Sequence, residues 1–123
     1  ALADAEVSPS DVTHVNAHGT STPLNDVSEA RTVKRVFGDQ VVVTSTKGVT
    51  GHSLGAAGAI EAAFSVLTVE RGLIPPTANL ESQDPEIDLD IVAKAPREAK
   101  IDVVVSNSFG FGGQNAVLVV TPA

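Results

Sequence analysis

The sequence contains no cysteine, methionine, tryptophan or tyrosine among its 123 residues. Without cysteine, the chain cannot form a disulfide, bind a metal through sulfur or use a thiol in redox chemistry. The four phenylalanines are the only large aromatic residues, so the core must be built mainly from Val, Leu, Ile and Ala. The chain has no initiator methionine, and its first segment, ALADAEV, is typical of the last turns of a helix, so we expect a fragment of a longer protein.

Positive charge and long apolar runs are also scarce. The net charge is −7 and no basic cluster is longer than Lys34-Arg35, which disfavours nucleic acid or an anionic membrane as a partner. No apolar run is long enough to span a bilayer, and no signal peptide is visible. These features predict a soluble, cytoplasmic protein, and the length suits one domain or part of one.

The first half of the chain predicts two strands separated by a helix. The segment VTHVNA, which leads to His18-Gly19, and the β-branched run VVVTS at 41–45 are typical of buried strands. Between them, Asp26 and Glu29 have the spacing of a capping box, and Gly38 is a helix stop. The apolar stripe of this predicted helix consists of Val27, Ala30, Val33 and Phe37.

The second half predicts a loop at 46–51, a long helix from Ser53 to Glu70 that ends at Gly72, and weak strand character at 88–92. The runs VVVSNS and AVLVV near the end predict an antiparallel hairpin around FGFGGQN. Strands that alternate with helices and end in a hairpin indicate an α/β fold with a mixed sheet.

The segment GHSLG at 51–55 has the G-x-S-x-G pattern of the serine hydrolase nucleophile elbow. An elbow needs a strand that runs directly into the motif and a histidine after the serine. Here a six-residue loop precedes His52, and all three histidines precede Ser53. Without a downstream base Ser53 is a weak nucleophile, so we interpret it as the N-cap of the long helix.

The histidines are the more informative residues. His14 and His18 would lie about 13 Å apart on a strand, too far to share a metal, and His14 is interpreted as an ordinary strand residue. His18 follows a strand at the edge where open α/β sheets bind ligands, and His52 is expected at a helix N-terminus as a neutral ring that donates from Nε2. From the residues alone, both a functional and a structural role remain open for His18 and for His52.

Two further segments carry open alternatives. Glu61 is the only charge between Ser53 and Val69, among small residues that predict burial on most sides of the helix, and Lys47 is its nearest counter-ion. Alternatively, Glu61, Ser65 and Thr68 form a narrow solvent face. The FGFGGQN segment lacks the features of a phosphate loop. It is either a mobile loop that carries phenylalanines into a pocket or a hairpin turn with core phenylalanines.

Three motifs of the chain resemble, in the same order, the C-terminal half of the β-ketoacyl-acyl carrier protein synthases. They are VNAHGTSTPLND, TSTKGVTGHSLGAAGA and SNSFGFGGQN. The resemblance is strongest to the enzymes of bacterial type II fatty acid elongation. The resemblance covers essentially the whole chain. It implies the thiolase-like fold, with residues 1–123 as the C-terminal domain, and usually a homodimer. It also implies acyl carrier protein as the partner, with substrates on its phosphopantetheine and no required cofactor.

The resemblance also implies residue roles. His18 and His52 match the two histidines that stabilise the enolate, Lys47 and Glu61 match the active-site lysine and its partner, and Thr20 and Thr22 match hydroxyls that contact phosphopantetheine. Phe109 and Phe111 match the gating loop, whose Phe111 N–H would help to form an oxyanion hole. In some members a monovalent cation is bound at the positions that match Asn16, Glu61, Ser106 and Asn107. Gln114 replaces a threonine that is common in relatives.

The family acylates a cysteine in its N-terminal half, and this chain has none. The isolated chain is therefore expected to be inactive. The preferred hypothesis is a fatty acid elongation enzyme. The alternatives are a polyketide ketosynthase and a non-catalytic subunit that resembles a chain-length factor. The residue at the nucleophile position upstream would separate the last from the other two.

Overall fold

The computed structural model describes residues 1–123 and contains a central mixed sheet. In chain order the strands are β1 (His14–Asn16), β2 (Val42–Thr44), β3 (Leu73–Ile74), β4 (Asp90–Ile91), β5 (Arg97–Glu98), β6 (Val104–Phe109) and β7 (Asn115–Val120). Five of them form one sheet in the order β4-β2-β1-β6-β7, and β3 and β5 form a small antiparallel pair. The first four strands of the large sheet are parallel, whereas β7 is antiparallel to β6, as the sequence predicted.

Three α-helices connect the strands. They are α1 (Pro23–Phe37), α2 (Lys47–Thr50) and α3 (Ala57–Arg71). Gly38 and Gly72 end α1 and α3 with positive φ angles of 77° and 60°, which confirms both predicted stops. None of the helices combines the length and the apolar character that crossing a bilayer requires.

The predicted start of α1 was wrong. Thr22 is the N-cap, and its hydroxyl accepts a hydrogen bond from Asn25 N, while Pro23 occupies the first helical position. Proline suits that position because its fixed φ is helical and its missing N–H would have no partner there. Asp26 lies inside the first turn and accepts from Ser21 N instead.

The predicted long helix from Ser53 is also interrupted. Leu54 has a φ of 51°, and residues Leu54–Ala56 form a 3-10 turn before α3 begins at Ala57. A left-handed residue cannot continue an α-helix, so Ser53 precedes only the 3-10 turn, and its side chain makes no capping hydrogen bond there. Its buried hydroxyl has no hydrogen-bond partner, and in particular no base. The prediction that Ser53 is the N-cap of the long helix is therefore wrong. Ser53 also lacks the basic partner that a nucleophile needs.

The core is aliphatic apart from Phe37, as the composition predicted. On the α1 side of the sheet it comprises Val12, Val15, Ala17, Val33, Phe37, Val41, Val43, Val103 and Val105. A smaller cluster comprises Ile74, Val92, Ile101 and Val104.

The helix α3 buries a polar face. Glu61, Ser65 and Thr68 are all at most 2% exposed, so the interpretation of these residues as a solvent face is wrong. The prediction that this helix is buried on most sides is also wrong for this chain, because Val66 and Leu67 on the same helix are exposed. The polar face lies against the sheet, where Asn16 Nδ2 donates to the backbone oxygen of Glu61 over 3.4 Å.

Candidate functional site

Two histidines and a phenylalanine meet beyond the carboxyl ends of the parallel strands. His18 follows β1, His52 follows α2, and Phe109 ends β6. The ring centroids of His18 and His52 are 5.5 Å apart in an edge-to-face arrangement, and those of His18 and Phe109 are 5.6 Å apart. His18 is buried, whereas His52 is exposed. The location agrees with the edge at which α/β sheets bind ligands.

A buried ion pair lies directly behind His18. Lys47 Nζ contacts Glu61 Oε1, and the two side chains are only 4% and 2% exposed. The same Nζ lies 3.4 Å from His18 Nδ1. The pairing of Lys47 with Glu61, which the sequence left open, is therefore present, and it extends to His18.

Both imidazoles have Nδ1 occupied as an acceptor. An ammonium can only donate, so Lys47 makes His18 Nδ1 the acceptor, and Leu54 N donates to His52 Nδ1 over 3.3 Å. Burial, and after it the charge of Lys47, lowers the pKa of His18. When neutral, both rings therefore carry their proton on Nε2. For His52 the backbone N–H of Leu54 sets this tautomer, since α3 begins only at Ala57 and the predicted adjacent helix N-terminus is absent.

Glu29 holds the turn that presents His18. Its carboxylate accepts from His18 N and Gly19 N, each at 2.8 Å, and from the side-chain amides of Asn107 and Asn25 at 3.1 and 3.3 Å. The interpretation of Glu29 as half of a capping box is therefore wrong. Its spacing from the buried Val33 and Phe37, four and eight residues later, is the sequence signal that places it on the buried face of α1.

The turn also requires a glycine at position 19. Gly19 has a φ of 43°, and a Cβ there would lie 2.6 Å from Ser45 Cβ and Oγ. Ser45, the residue that follows β2, donates from Oγ to Gly19 O over 3.0 Å and so contacts the His18 turn directly. The position of His18 is therefore set by contacts from α1 and from the end of β2.

The two predicted hydroxyls lie at the rim of the site. Thr20 and Thr22 have their oxygens 3.2 Å apart, and Thr22 is also the N-cap of α1. Thr20 lines an open cleft of about 580 Å³, which Lys47 and His52 also line. Thr22 does not line this cleft.

The two phenylalanines of the β6–β7 loop occupy different environments. Phe109 packs against His18, whereas Phe111 projects fully into solvent from a 3-10 turn at Phe111–Gly113. Gly112 and Gly113 both have left-handed φ angles, of 74° and 79°, which the Phe111 loop needs for its sharp bend. The loop therefore has one phenylalanine in the site and one outside it.

The predicted cation ligands are buried, but they do not all face one point. Asn16 and Ser106 are register partners on β1 and β6, on the sheet face toward α3, and Glu61 Oε2 on α3 has no hydrogen-bond partner. Asn107 instead directs its amide to Glu29 on the opposite face. Asn16, Ser106 and Glu61 thus offer the oxygen donors that a hard cation needs, whereas Asn107 could contribute only through its backbone.

His14 lies outside the site. It is fully buried on β1, and neither ring nitrogen has a hydrogen-bond partner. Burial lowers the pKa of His14 to about 4. The side chain is therefore neutral near pH 7, as part of the interior of the sheet.

Known proteins resemble this chain in both sequence and structure. The 3-oxoacyl-[acyl-carrier-protein] synthase 2 of Coxiella burnetii is 54% identical over 98% of the chain, and that of Synechocystis is 50% identical over 96%. The chain spans only about 30% of the length of each relative. Among solved structures, a β-ketoacyl synthase from Burkholderia phymatum superimposes with a TM-score of 0.96 at 39% identity, over 100% of this chain and 30% of that one.

A second solved structure, a type II polyketide ketosynthase in complex with its acyl carrier protein, has a TM-score of 0.95 at 37% identity and covers 100% of this chain and 31% of that one. The family model for the C-terminal domain of β-ketoacyl synthases matches residues 1–81. These matches agree with the mixed sheet and the motifs around both histidines. The chain belongs to the β-ketoacyl synthase family, as part of its C-terminal half.

Proposed function

We propose that this chain is part of a 3-oxoacyl-acyl carrier protein synthase that elongates fatty acids by decarboxylative Claisen condensation. The observation that carries the proposal is the pair of neighbouring imidazoles, His18 and His52, each with Nδ1 occupied and Nε2 left as the N–H donor. Two such donors side by side suit an oxygen on which negative charge develops.

In the proposed reaction, the full-length protein first holds an acyl group as a thioester on a cysteine outside this chain. Malonyl-carrier protein then loses carbon dioxide, and the electron pair of the broken C–C bond forms an enolate. His18 and His52 donate hydrogen bonds to its oxygen. The enolate carbon attacks the acyl carbonyl, whose oxyanion Phe111 N–H helps to stabilise, and the C–S bond to cysteine breaks to release the thiolate.

Lys47 and Glu61 support this chemistry from behind His18. The ammonium of Lys47 orients the ring by contact with Nδ1 and disfavours its protonation, because a second positive charge nearby is unfavourable. A neutral His18 remains a hydrogen-bond donor through Nε2 and does not protonate the enolate prematurely. Glu61 neutralises Lys47 in an environment that would otherwise exclude its charge.

The partners and ligands follow from the same proposal. Thr20 and Thr22 would contact the phosphopantetheine arm of acyl carrier protein, and Phe109 and Phe111 would gate the site, in a homodimeric full-length enzyme. A structural monovalent cation would be held by Asn16, Ser106 and Glu61, with the backbone of Asn107. The polyketide ketosynthase in complex with its carrier protein supports a carrier-protein partner for this family.

The fatty acid pathway is favoured by sequence identity. The 3-oxoacyl-[acyl-carrier-protein] synthase 2 sequences of Coxiella burnetii, Synechocystis and Staphylococcus aureus are 48–54% identical to this chain, whereas the polyketide ketosynthase structure is 37% identical. A polyketide ketosynthase remains the alternative, and a subunit that resembles a chain-length factor would lack the cysteine in its N-terminal half. Product analysis with acyl- and malonyl-carrier protein separates these outcomes.

The test compares two adjacent residues in a full-length synthase that carries this chain. His52→Ala removes an enolate donor and should slow malonyl decarboxylation by on the order of 10²–10³. Ser53→Ala removes a buried hydroxyl that has no partner, so turnover and stability should be nearly unchanged. Loss of activity in Ser53→Ala with full activity in His52→Ala would contradict the proposal and would support the serine hydrolase hypothesis instead.

A further inference from the structure

Lys47 lies on a turn that cannot hold its position by itself. The helix α2 has four residues and ends at Gly51, which has a φ of 68°. A helix of this length is not stable without contacts to the rest of the protein. The place of Lys47 Nζ between Glu61 and His18 therefore depends on what contacts the turn from outside.

The outer contact is made by the segment 75–79. Asn79 Nδ2 donates to Gly48 O over 2.9 Å, across 31 residues of sequence. The backbone of Ala78 lies directly against Gly48, where a Cβ would come within 2.4 Å of Ala78 O and 2.9 Å of Ala78 N. The turn and the segment therefore meet backbone to backbone, with the Asn79 amide as their hydrogen bond.

This segment is itself fixed to the sheet. Thr77 Oγ1 accepts from Ser45 N over 3.0 Å, and Thr77 N donates to Val92 O over 2.8 Å. The Thr44 hydroxyl also donates to Pro75 O. The segment that carries Asn79 is thus hydrogen-bonded to the residues at the end of β2 and to Val92, which fixes the position of the Asn79 amide.

The backbone of Asn79 is special as well. Its φ is 65°, a left-handed conformation that asparagine adopts more readily than most residues. The residue therefore combines two properties, the turn geometry and a side-chain donor. A glycine would preserve the first and remove the second.

We propose that Asn79 is a positioning residue, which holds the Gly48 carbonyl and thereby keeps Lys47 Nζ in contact with His18 and Glu61. The inference rests on the proposed function, because it assigns Asn79 a role through Lys47. Without the Asn79 amide, the Gly48 carbonyl loses its side-chain donor, and only the packing of the Ala78 backbone against Gly48 still holds the α2 turn from outside. The side-chain contacts that then remain at this turn face inward: the ion pair of Lys47 with Glu61, and the Thr46 hydroxyl, which donates to Asn16 Oδ1 over 3.5 Å.

The experiment uses a full-length synthase that carries this chain, in three variants. Asn79→Gly retains the left-handed backbone without the donor, and Asn79→Asp replaces the donor by a carboxylate oxygen of similar shape. Gln83→Ala is the matched control, because Gln83 also donates its amide to backbone oxygens, those of Ile87 and Leu89, but within its own loop. Thermal unfolding establishes that each variant is folded.

Malonyl-carrier protein decarboxylation should separate the variants. A displaced Lys47 should lower kcat by on the order of 10- to 100-fold in both Asn79 variants, with KM within about twofold. Gln83→Ala should retain both parameters. The proposal is overturned if either Asn79 variant retains kcat within about twofold, if KM alone rises, or if Gln83→Ala loses as much.

A crystal structure of Asn79→Gly provides a second test of the proposal, and this structural arm does not depend on activity. Lys47 Nζ should move beyond hydrogen-bond distance of His18 Nδ1, from 3.4 Å in the unsubstituted chain. An unmoved Nζ refutes the positioning role. If the unsubstituted synthase does not decarboxylate malonyl-carrier protein, the proposed function fails, and this structural arm still decides whether Asn79 holds Lys47.

Discussion

Breaking the Lys47–Glu61 ion pair on one side should destabilise the protein far more than removing both partners. In Glu61→Leu the ammonium of Lys47, in a side chain that is 4% exposed, loses its only anionic partner. An unpaired buried charge costs about 3–5 kcal/mol, because neither water nor a counter-ion compensates it. The neutral His18 Nδ1 at 3.4 Å is a weak substitute.

The double variant Lys47→Met/Glu61→Leu places apolar side chains of similar length against each other. Replacement of a whole buried pair is often neutral or stabilising, so we expect a free energy of unfolding within about 1 kcal/mol of the unsubstituted protein. The double variant should nevertheless be catalytically impaired, since His18 loses its orienting neighbour. Stability and activity should therefore change independently.

Equilibrium urea unfolding, followed by circular dichroism in a full-length synthase, compares the unsubstituted protein with Lys47→Met, Glu61→Leu and the double variant. The exposed pair Lys34–Asp88 is the control, with side chains 35% and 91% exposed, and Asp88→Asn should change the free energy of unfolding far less than Glu61→Leu, because water screens an exposed pair. The reasoning is refuted if Glu61→Leu costs no more than Asp88→Asn. It is also refuted if the double variant is less stable than Glu61→Leu.

Three further outcomes are expected. The pKa of His14 is about 4 in the folded chain against an ordinary 6.5, so His14 contributes stability that is complete above pH 6.5 and is lost as the pH falls toward 4. The stability lost between these pH values amounts to about 3 kcal/mol. In His14→Leu the melting temperature should therefore fall less steeply as the pH is lowered. An equal slope in both proteins would exclude His14 as the source of this pH dependence. Phe111→Ala should impair condensation without changing the melting temperature, because the ring is fully exposed. Gly110→Val should impair condensation more, because a Cβ at position 110 would lie 2.7 Å from Gln114 O. Normal product formation by Phe111→Ala would exclude a gate. The isolated chain should form no 3-oxoacyl product from acyl- and malonyl-carrier protein, because it has no cysteine to acylate, and measurable product would contradict the proposed division of the site.

Features that depend on neighbouring residues were predictable from the sequence. The stops at Gly38 and Gly72 and the antiparallel β6–β7 pair are confirmed, because glycine conformations and hairpin closure are decided within a few residues. The nearness of Lys47 to Glu61 was also foreseeable, since a lone charge on an otherwise apolar helix needs a counter-ion. The motifs around His18 and His52 indicated the family before any geometry was known.

Other features were decided only by contacts between distant parts of the chain. Glu29 acts on His18 because α1 packs against the end of β1, and Asn79 reaches Gly48 from 31 residues away. The helix α3 buries its polar face because Asn16 and the other polar residues of the sheet lie opposite, which no periodicity within α3 reveals. Local sequence determines where a helix such as α1 or α3 ends, but tertiary contacts decide which of its faces is buried and which backbone groups its side chains hold, because those partners are neighbours only in the folded chain.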